Sequence, residues 1–362
     1  MTAGPDSRTM NACVLHAIGD MRYEQVPRPQ PGPGQVLLRI AYCGVCGSDI
    51  PRVFVKGTYH FPTIIGHEFA GVVEAAGSGV TDVAPGDRMA VFPLLWCGHC
   101  PPCEQGKYVQ CLNYDYLGSR RDGAFAEFVV APRQNLVRVP AGVSLAEAAM
   151  TEPAAVALHA LRRAGGCGPG DNVAIFGAGP IGLMVAQWAR AMGASRIFIF
   201  DIVPQKLALA GDLGFMLTFN NRETDPAQVI ARETGRDGVN LAIEAAGVPA
   251  TFGQALAVTG RGGKMVILGN PVADVTLPAG LISQAMRREV AILGTWNSEY
   301  SATGNSDDWQ TVLAAMASGQ LNLTPLITHR VPLSEAVDAL TMMRDQRDFY
   351  AKVLISPGGF AE

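Results

Sequence analysis

Between residues 172 and 294 short apolar runs alternate with helical patterns, and no other feature of the sequence constrains the fold as tightly. The runs cover 173–176, 197–200, 215–219, 241–243, 265–268 and 290–293, with helical stretches between the first five and a longer connection before the sixth. A strand apolar on both faces must be covered on both, which a parallel sheet with helices on either side achieves. The expectation is a doubly wound parallel α/β sheet.

The first of these runs leads into Gly177-Ala178-Gly179-Pro180-Ile181-Gly182 and a helical stretch over 183–192 follows. A G-x-G-x-x-G alone is weak evidence, but between a strand and a helix it matches the dinucleotide fingerprint. Gly177 suits the tight turn, Gly179 the approach of backbone to a pyrophosphate, and Gly182 close packing of helix on strand. The helix start at Pro180-Ile181 offers unpaired N–H groups to phosphate from Ile181 onward, proline having none. Asp201, nineteen residues after Gly182, ends the next apolar run. A carboxylate there accepts hydrogen bonds from ribose hydroxyls and repels a 2′-phosphate, which favours NAD over NADP.

Residues 11–155 have a different character. Runs at 36–41, 69–74 and 125–130 read as short strands, divided by Pro-Gly pairs such as Pro31-Gly32-Pro33-Gly34 and Pro85-Gly86. Near Ser144, with Glu147 three residues on as a capping-box partner, Ala/Leu-rich helical patterns begin. The tail holds helical stretches near 308–318 and 334–345 and a last strand near 351–355. It is too short for a domain of its own and is expected to fold back onto the first half. The boundaries read as 1–156 for an irregular, mostly β domain, 157–296 for the nucleotide-binding domain, and 297–362 for the return segment.

The chain has eight cysteines, four of them within fifteen residues: Cys97, Cys100, Cys103 and Cys111. Four thiolates at this spacing close a tetrahedral zinc completely, so such a site is structural. His99 lies inside the loop and is expected to face solvent. A second, dispersed set comprises Cys46, the pair His67-Glu68, and Glu152 beside Pro153. A catalytic zinc takes three mixed ligands and keeps one exchangeable position, which Cys, His and Glu satisfy.

A net charge of −4 without any Lys/Arg-rich run argues against nucleic acid or an anionic membrane as partner. No run of ~18 apolar residues suggests a membrane span, and Met1 to Asn11 lacks the apolar core of a secretory signal. The expected location is the cytoplasm, where clustered cysteines point to metal rather than disulfides. Met10 is an alternative native start, with 1–9 then a disordered leader or an addition from cloning.

Cys46-Gly47-Ser48-Asp49, Gly66-His67-Glu68, the four-cysteine lobe and the glycine fingerprint, in this order, resemble the zinc-dependent medium-chain dehydrogenase/reductase family from about residue 12 to 356. The stretch from Cys46 to Phe54, Pro93-Leu94-Leu95, 118–123 and Gly294-Thr295-Trp296 are most similar to its polyol branch, the galactitol-1-phosphate and sorbitol dehydrogenases. The resemblance implies a GroES-like catalytic domain with a Rossmann domain, NAD, and two zinc ions per chain. It implies Cys46, His67 and Glu152 as catalytic ligands, with Glu68 beside the metal, and Ser48 as the start of a proton relay. It also implies a homodimer or homotetramer. Pro51 stands where many relatives carry the relay histidine, leaving Glu68, Glu152 through a water, or His60 as exits.

The implied reaction is oxidation of a secondary alcohol of a polyol or polyol phosphate to a ketose. A free-polyol, threonine or simple alcohol dehydrogenase shares the motifs. A zincless quinone reductase shares the fold without Cys46 or the lobe, and a nucleotide-sensing binding protein stands as the reading outside enzymes. Arg120 and Arg121 are candidates for holding a phosphate, since arginine suits bidentate binding. Trp296, Asn297, Ser298, Glu299 and Tyr300 are candidates for reading hydroxyls.

Overall fold

A computed structural model describes residues 8–235, 237–302 and 307–358, so residues 1–7 of the expected leader lie outside the described residues. The chain divides into two compact units, one of Met1–Glu152, Glu299–Gly319 and Ile327–Glu362, the other of Pro153–Ser298 and Gln320–Leu326. The second unit thus starts at Pro153 rather than 157, and residues 320–326 of the tail pack with it rather than with the first half.

The first unit is mostly β. Its main sheet runs in the order Leu136–Arg138, Arg88–Val91, Glu68–Ala76, Gln35–Gly44, Lys352–Ser356, Ile327–Pro332, and Phe128–Pro132 pairs with the Gln35–Gly44 strand off that path. Gln35–Gly44 is central, and only Gln35 and Arg39 of its ten residues escape full burial. The tail enters this sheet directly: Lys352–Ser356 pairs antiparallel with Gln35–Gly44 and parallel with Ile327–Pro332. Parallel neighbours need a crossover, supplied here by the helix Ala336–Asp345. Ala336, Ala339, Leu340 and Met343 recur at helical spacing and join the core of the β residues.

The run expected as one strand over 125–130 is divided between two sheets. Phe128–Pro132 lies in the main sheet, whereas Cys13 N donates to Phe125 O (2.8 Å) and Ala126 bridges Ala12 beside the small sheet of Asp20–Pro27, Thr9–Ala17 and Thr63–Ile64. Strand register also assembles the site. Gly44 lies opposite Glu68 on one side and Leu354 on the other. Cys46, His67-Glu68 and Lys352 therefore arrive at the same end of the sheet.

The second unit holds six parallel strands in the order Thr218–Asn220, Arg196–Asp201, Asn172–Phe176, Val239–Glu244, Thr259–Ile267, Ala291–Gly294. Counted along the chain this is 3-2-1-4-5-6, the doubly wound order of the Rossmann fold. All five residues of Asn172–Phe176 are buried, as a central parallel strand requires. The third strand begins later than the apolar run 215–219: Phe215 still belongs to the irregular stretch before it, under the Arg190 guanidinium at 4.6 Å. Among the described residues no helix is long and apolar enough to cross a membrane.

Candidate metal centres and nucleotide site

The ligand sulfurs of Cys97, Cys100, Cys103 and Cys111 all lie within 4.8 Å of one another. Cys100 Sγ is 3.4 Å from Cys103 Sγ and 3.8 Å from Cys111 Sγ. A tetrahedron with Zn–S arms of ~2.3 Å has edges of about 3.8 Å, so the thiols fit that ion. The Cys97 thiol is pulled down to about 6, chiefly by the His99 backbone N–H, while burial pushes Cys103 up to about 12. His99 itself is exposed and turns its ring to the Cys97 carbonyl. The lobe is bracketed by an antiparallel pair, Leu94–Leu95 with Asp115–Tyr116, and Trp96, Tyr108 and Tyr114 pack against its sulfurs.

The second set gathers at the end of the main sheet. Donor atoms of Cys46, His67 and Glu68 lie within 4.8 Å of one another, with His67 5% and Glu68 1% exposed. Glu152, in the first turn of the helix Thr151–Arg163, is also buried but stands outside that set, and its Oε1 accepts from Tyr116 Oη at 3.3 Å. The geometry thus brings Glu68, rather than Glu152, into the trio with Cys46 and His67. Loss of solvent pushes the Cys46 thiol up to about 12, with Glu68 and Asp49 adding to it. Burial likewise pushes Glu152 up to about 7. A thiol and a carboxyl whose anionic forms burial disfavours, beside a buried His67 Nδ1 with no hydrogen-bond partner among the described residues, fit a divalent cation that would restore those charges.

Three further residues complete this site. Asp49 is fully buried, accepts from Cys46 N (2.9 Å) and Arg52 Nη1, and faces His67 Nδ1 at 3.6 Å, too long for a hydrogen bond. Its signal was its place three residues after Cys46. Lys352 Nζ donates to Glu68 Oε2 (2.6 Å) and Val45 O (3.2 Å). Burial opposes its charge, but Glu68 and Cys46 more than offset this and hold the ammonium above its ordinary value. Nothing local in the sequence marks Lys352 or Tyr116.

Ser48 is exposed and its side chain caps nothing. His60 is exposed too, with its ring between Arg120 O (3.0 Å) and Pro62 O (3.2 Å). The two arginines separate. Arg121 is committed to Asp115, whereas the Arg120 guanidinium lies over the rings of Tyr59 (4.1 Å) and Tyr114 (4.4 Å) and has no carboxylate partner among the described residues. The polar run after Gly294 is corrected in two places. Ser298 and Tyr300 are buried, and Tyr300 stacks on Phe92 (4.2 Å) and donates to Gln134 O (2.6 Å), so it serves the core instead of a substrate. Trp296 is 59% exposed, Glu299 is exposed, and Asn297 adopts a left-handed φ of 54°.

In the second unit Gly177 has φ 106°, and a Cβ there would lie 2.9 Å from Ala246 N. A Cβ on Gly182 would stand 1.8 Å from Gly177 O, so helix and turn can touch only through glycine. Around Gly179, which caps the helix Pro180–Ala191, nothing lies within 4 Å of that position. Pro180 and Ile181 open the helix behind this clear approach. Asp201 ends its strand: its Oδ2 accepts from Ala178 N (2.7 Å) and its Oδ1 from Val203 N (2.9 Å). The carboxylate thereby fastens the glycine turn to the second strand. On the other side of the central strand, buried Glu244 accepts from Ala246 N, Gly247 N and Thr251 Oγ1 on Oε1, and among the described residues Oε2 has no partner.

A glycine-fingered Rossmann sheet and a GroES-like unit with two clusters of zinc donors define a zinc-binding dehydrogenase. Residues 32–141 match the family model "Alcohol dehydrogenase GroES-like domain" and residues 180–318 match "Zinc-binding dehydrogenase". The chain belongs to this zinc-dependent medium-chain family of oxidoreductases. It is 41% identical to galactitol 1-phosphate 5-dehydrogenase of Escherichia coli K12 over 82% of this chain and 85% of that one. The solved structure of galactitol-1-phosphate dehydrogenase from Escherichia coli superposes with TM-score 0.89 at 38% identity, covering 96% and 100%. Sorbitol dehydrogenase of Bacillus subtilis is 33% identical over 97% and 98%. A putative zinc-binding dehydrogenase from Sinorhizobium meliloti, solved bound to NADP, has TM-score 0.87 at 32% identity, covering 97% and 100%.

Proposed function

We propose that the chain oxidises a secondary alcohol of a hexitol phosphate to the ketose, with NAD as hydride acceptor and zinc at Cys46, His67 and a carboxylate from Glu68 or Glu152. The observation that carries this reading is the Cys46–His67–Glu68 cluster, half-buried at Cys46 and buried at the other two, in a chain that also bears the dinucleotide turn. When bound, zinc supplies Lewis acidity that makes a hydroxyl easier to deprotonate, and NAD takes the hydride. The chain's own residues orient and shield. Asp49 faces the His67 ring, Lys352 holds Glu68, and Tyr116 holds Glu152. The lobe thiols would carry a second, structural zinc. Asp201 favours NAD through its carboxylate at the ribose end, and Gly179 leaves the pyrophosphate its approach.

Arg120 supports the phosphate. It is a guanidinium with no carboxylate partner among the described residues, held between two tyrosine rings, and a doubly charged ester on it gains charge-assisted hydrogen bonds of ~1.5–3 kcal/mol. For self-association, the sheet's last strand, Ala291–Gly294, exposes three of its four residues, Ile292 among them. No residue of the nearby helix Ala279–Arg287 is buried, and Met286 is 73% exposed. An open apolar edge of this kind favours pairing of two copies into a dimer, or a tetramer of such pairs.

Initial rates with NAD and NADP across hexitols, pentitols and their phosphate esters test the reading. The expected result is NAD-linked oxidation, with kcat/KM roughly ten- to a hundredfold higher for a hexitol 1-phosphate than for the free hexitol. Equal rates on both would make the protein a free-polyol dehydrogenase, and no turnover of any polyol would overturn the proposal.

A further inference from the structure

Tyr116 stands at the neck of the four-cysteine lobe and also touches the second cluster. Residues 97–111 leave the fold after Leu95 and return at Asp115, where Leu94 pairs with Tyr116 and Leu95 with Asp115. Leu117 N then donates to Pro93 O (2.9 Å), closing the neck below the lobe. On the entering side, Asn135 Nδ2 ties down both Phe92 O and Leu94 O at 2.8 Å.

The backbone of Tyr116 has little freedom. Its carbonyl accepts from Ser119 N, Arg120 N and Arg121 N. The turn so formed packs against the residue preceding His67: a Cβ on Gly118 or Gly123 would lie 2.4 or 2.2 Å from Gly66 O. The side chain leaves this turn with its ring 5.8 Å from the His67 ring, edge on at 64°. Its hydroxyl donates to Glu152 Oε1 at 3.3 Å, and among the described residues Glu152's side chain has no other hydrogen-bond partner. The bond is slack for O–H···O, which tethers the carboxylate while leaving it room to turn.

We propose that Tyr116 is a positioning residue that holds Glu152 beside His67 and so makes the geometry of the second cluster depend on closure of the lobe. The inference rests on the reading of Cys46 and His67 as metal ligands and goes beyond it, because it links the two metal centres through one phenol. Without the hydroxyl, Glu152 is a buried carboxylate with no fixed direction. Without a closed lobe, the strand pair that aims the hydroxyl loses its frame.

Tyr116→Phe keeps the ring, its contact with His67 and the strand pairing, and removes only the tether. The measurement is competition between the whole protein and a chelator of known strength, with cobalt(II) substituted into the second site as a spectroscopic reporter. In Tyr116→Phe the second site should lose roughly 10–100-fold in metal affinity, as when an outer partner of a metal ligand is removed. Its cobalt spectrum should change, while the lobe metal and the melting temperature hold. kcat should fall with KM for the dinucleotide unchanged. Cys111→Ser, which opens the lobe, should weaken the second site in the unmodified chain and have much less effect in the Tyr116→Phe background. Unchanged second-site affinity and cobalt spectrum in Tyr116→Phe would overturn the tether alone. An unmodified chain that holds metal only in its lobe would overturn the dehydrogenase reading, and the tether with it.

Discussion

Replacing Asp201 with alanine should cost the second unit both stability and its choice of dinucleotide. The carboxylate is 8% exposed and accepts two backbone N–H groups, Ala178 at 2.7 Å and Val203 at 2.9 Å. Charge-assisted bonds are worth ~1.5–3 kcal/mol each. Val203 is partly exposed, so water can replace its partner, but Ala178 is 1% exposed and its N–H would be left bare. The combined loss is about 2–4 kcal/mol. For a unit of ~150 residues, 1 kcal/mol moves Tm by roughly 2–4 °C, so the melt should drop by roughly 5–15 °C. The same carboxylate keeps lone pairs for a ribose hydroxyl. Losing that contact should weaken NAD about tenfold or more, while NADP, relieved of repulsion, weakens less. Asp201→Asn separates the two effects, because an amide oxygen still accepts one N–H yet carries no charge to repel phosphate. It should recover part of the Tm and none of the discrimination. Thermal melts, dinucleotide fluorescence titration and the NAD/NADP ratio of kcat/KM measure these quantities. An Asp201→Ala protein that melts within a degree of the parent and keeps its ratio would show that this carboxylate neither fastens the glycine turn nor reads the ribose.

Arg120→Ala should erase the preference for a phosphorylated substrate and spare turnover of the free polyol, whereas Arg121→Ala, which loses only its exposed pair with Asp115, should leave the preference intact. The reverse pattern in substrate-panel kinetics would reassign the phosphate to Arg121. Metal analysis should return close to two zinc ions per chain, and mild chelation should remove one and abolish activity with the fold retained; a single zinc whose removal unfolds the protein would exclude a second centre at Cys46 and His67. Burial raises the Glu244 carboxyl above its ordinary value, so its contribution to stability is full below the unfolded pKa and is lost as pH rises through the folded one. Glu244→Gln, neutral throughout, should flatten that part of the urea-unfolding profile against pH. A slope that survives the substitution would mean that Glu244 ionises in the folded state as it does in the unfolded one.

The parts legible in the sequence are those whose cause is local. A central parallel strand must be apolar along its whole length, so 173–176 and 197–200 mark their strands directly, and the glycine turn carries its own steric reasons. Ser144 and Glu147 form the capping box their spacing implies, although the helix they start lasts only over Leu145–Ala148 before a second begins at Thr151. Tyr300 misleads because a tyrosine beside Asn297, Ser298 and Glu299 looks like part of a polar surface. Its neighbours in space, Phe92 at 4.2 Å and Trp309 at 6.3 Å, make it core instead.

The metal cluster shows where local reasoning stops. Cys46 follows the end of Gln35–Gly44 and His67 precedes the start of Glu68–Ala76, two strands whose register the hydrophobic pattern constrains, but which carboxylate joins them depends on partners much farther along the chain. Glu68 is paired with Lys352, 284 residues away, because Gly44 sits opposite both Glu68 and Leu354 in the sheet. Glu152 is paired with Tyr116 because the lobe's neck delivers that phenol. Each carboxylate is therefore held by one group of opposite character, an ammonium for Glu68 and a hydroxyl for Glu152. The ammonium must give up a buried ion pair before Glu68 can turn elsewhere, and breaking such a pair costs several kcal/mol. The slack hydroxyl bond on Glu152 costs about 1 kcal/mol to break. If a zinc sits on Cys46 and His67 as proposed, these costs favour Glu152 as the carboxylate that turns toward it, although Glu68 is the one whose oxygen lies within the cluster here.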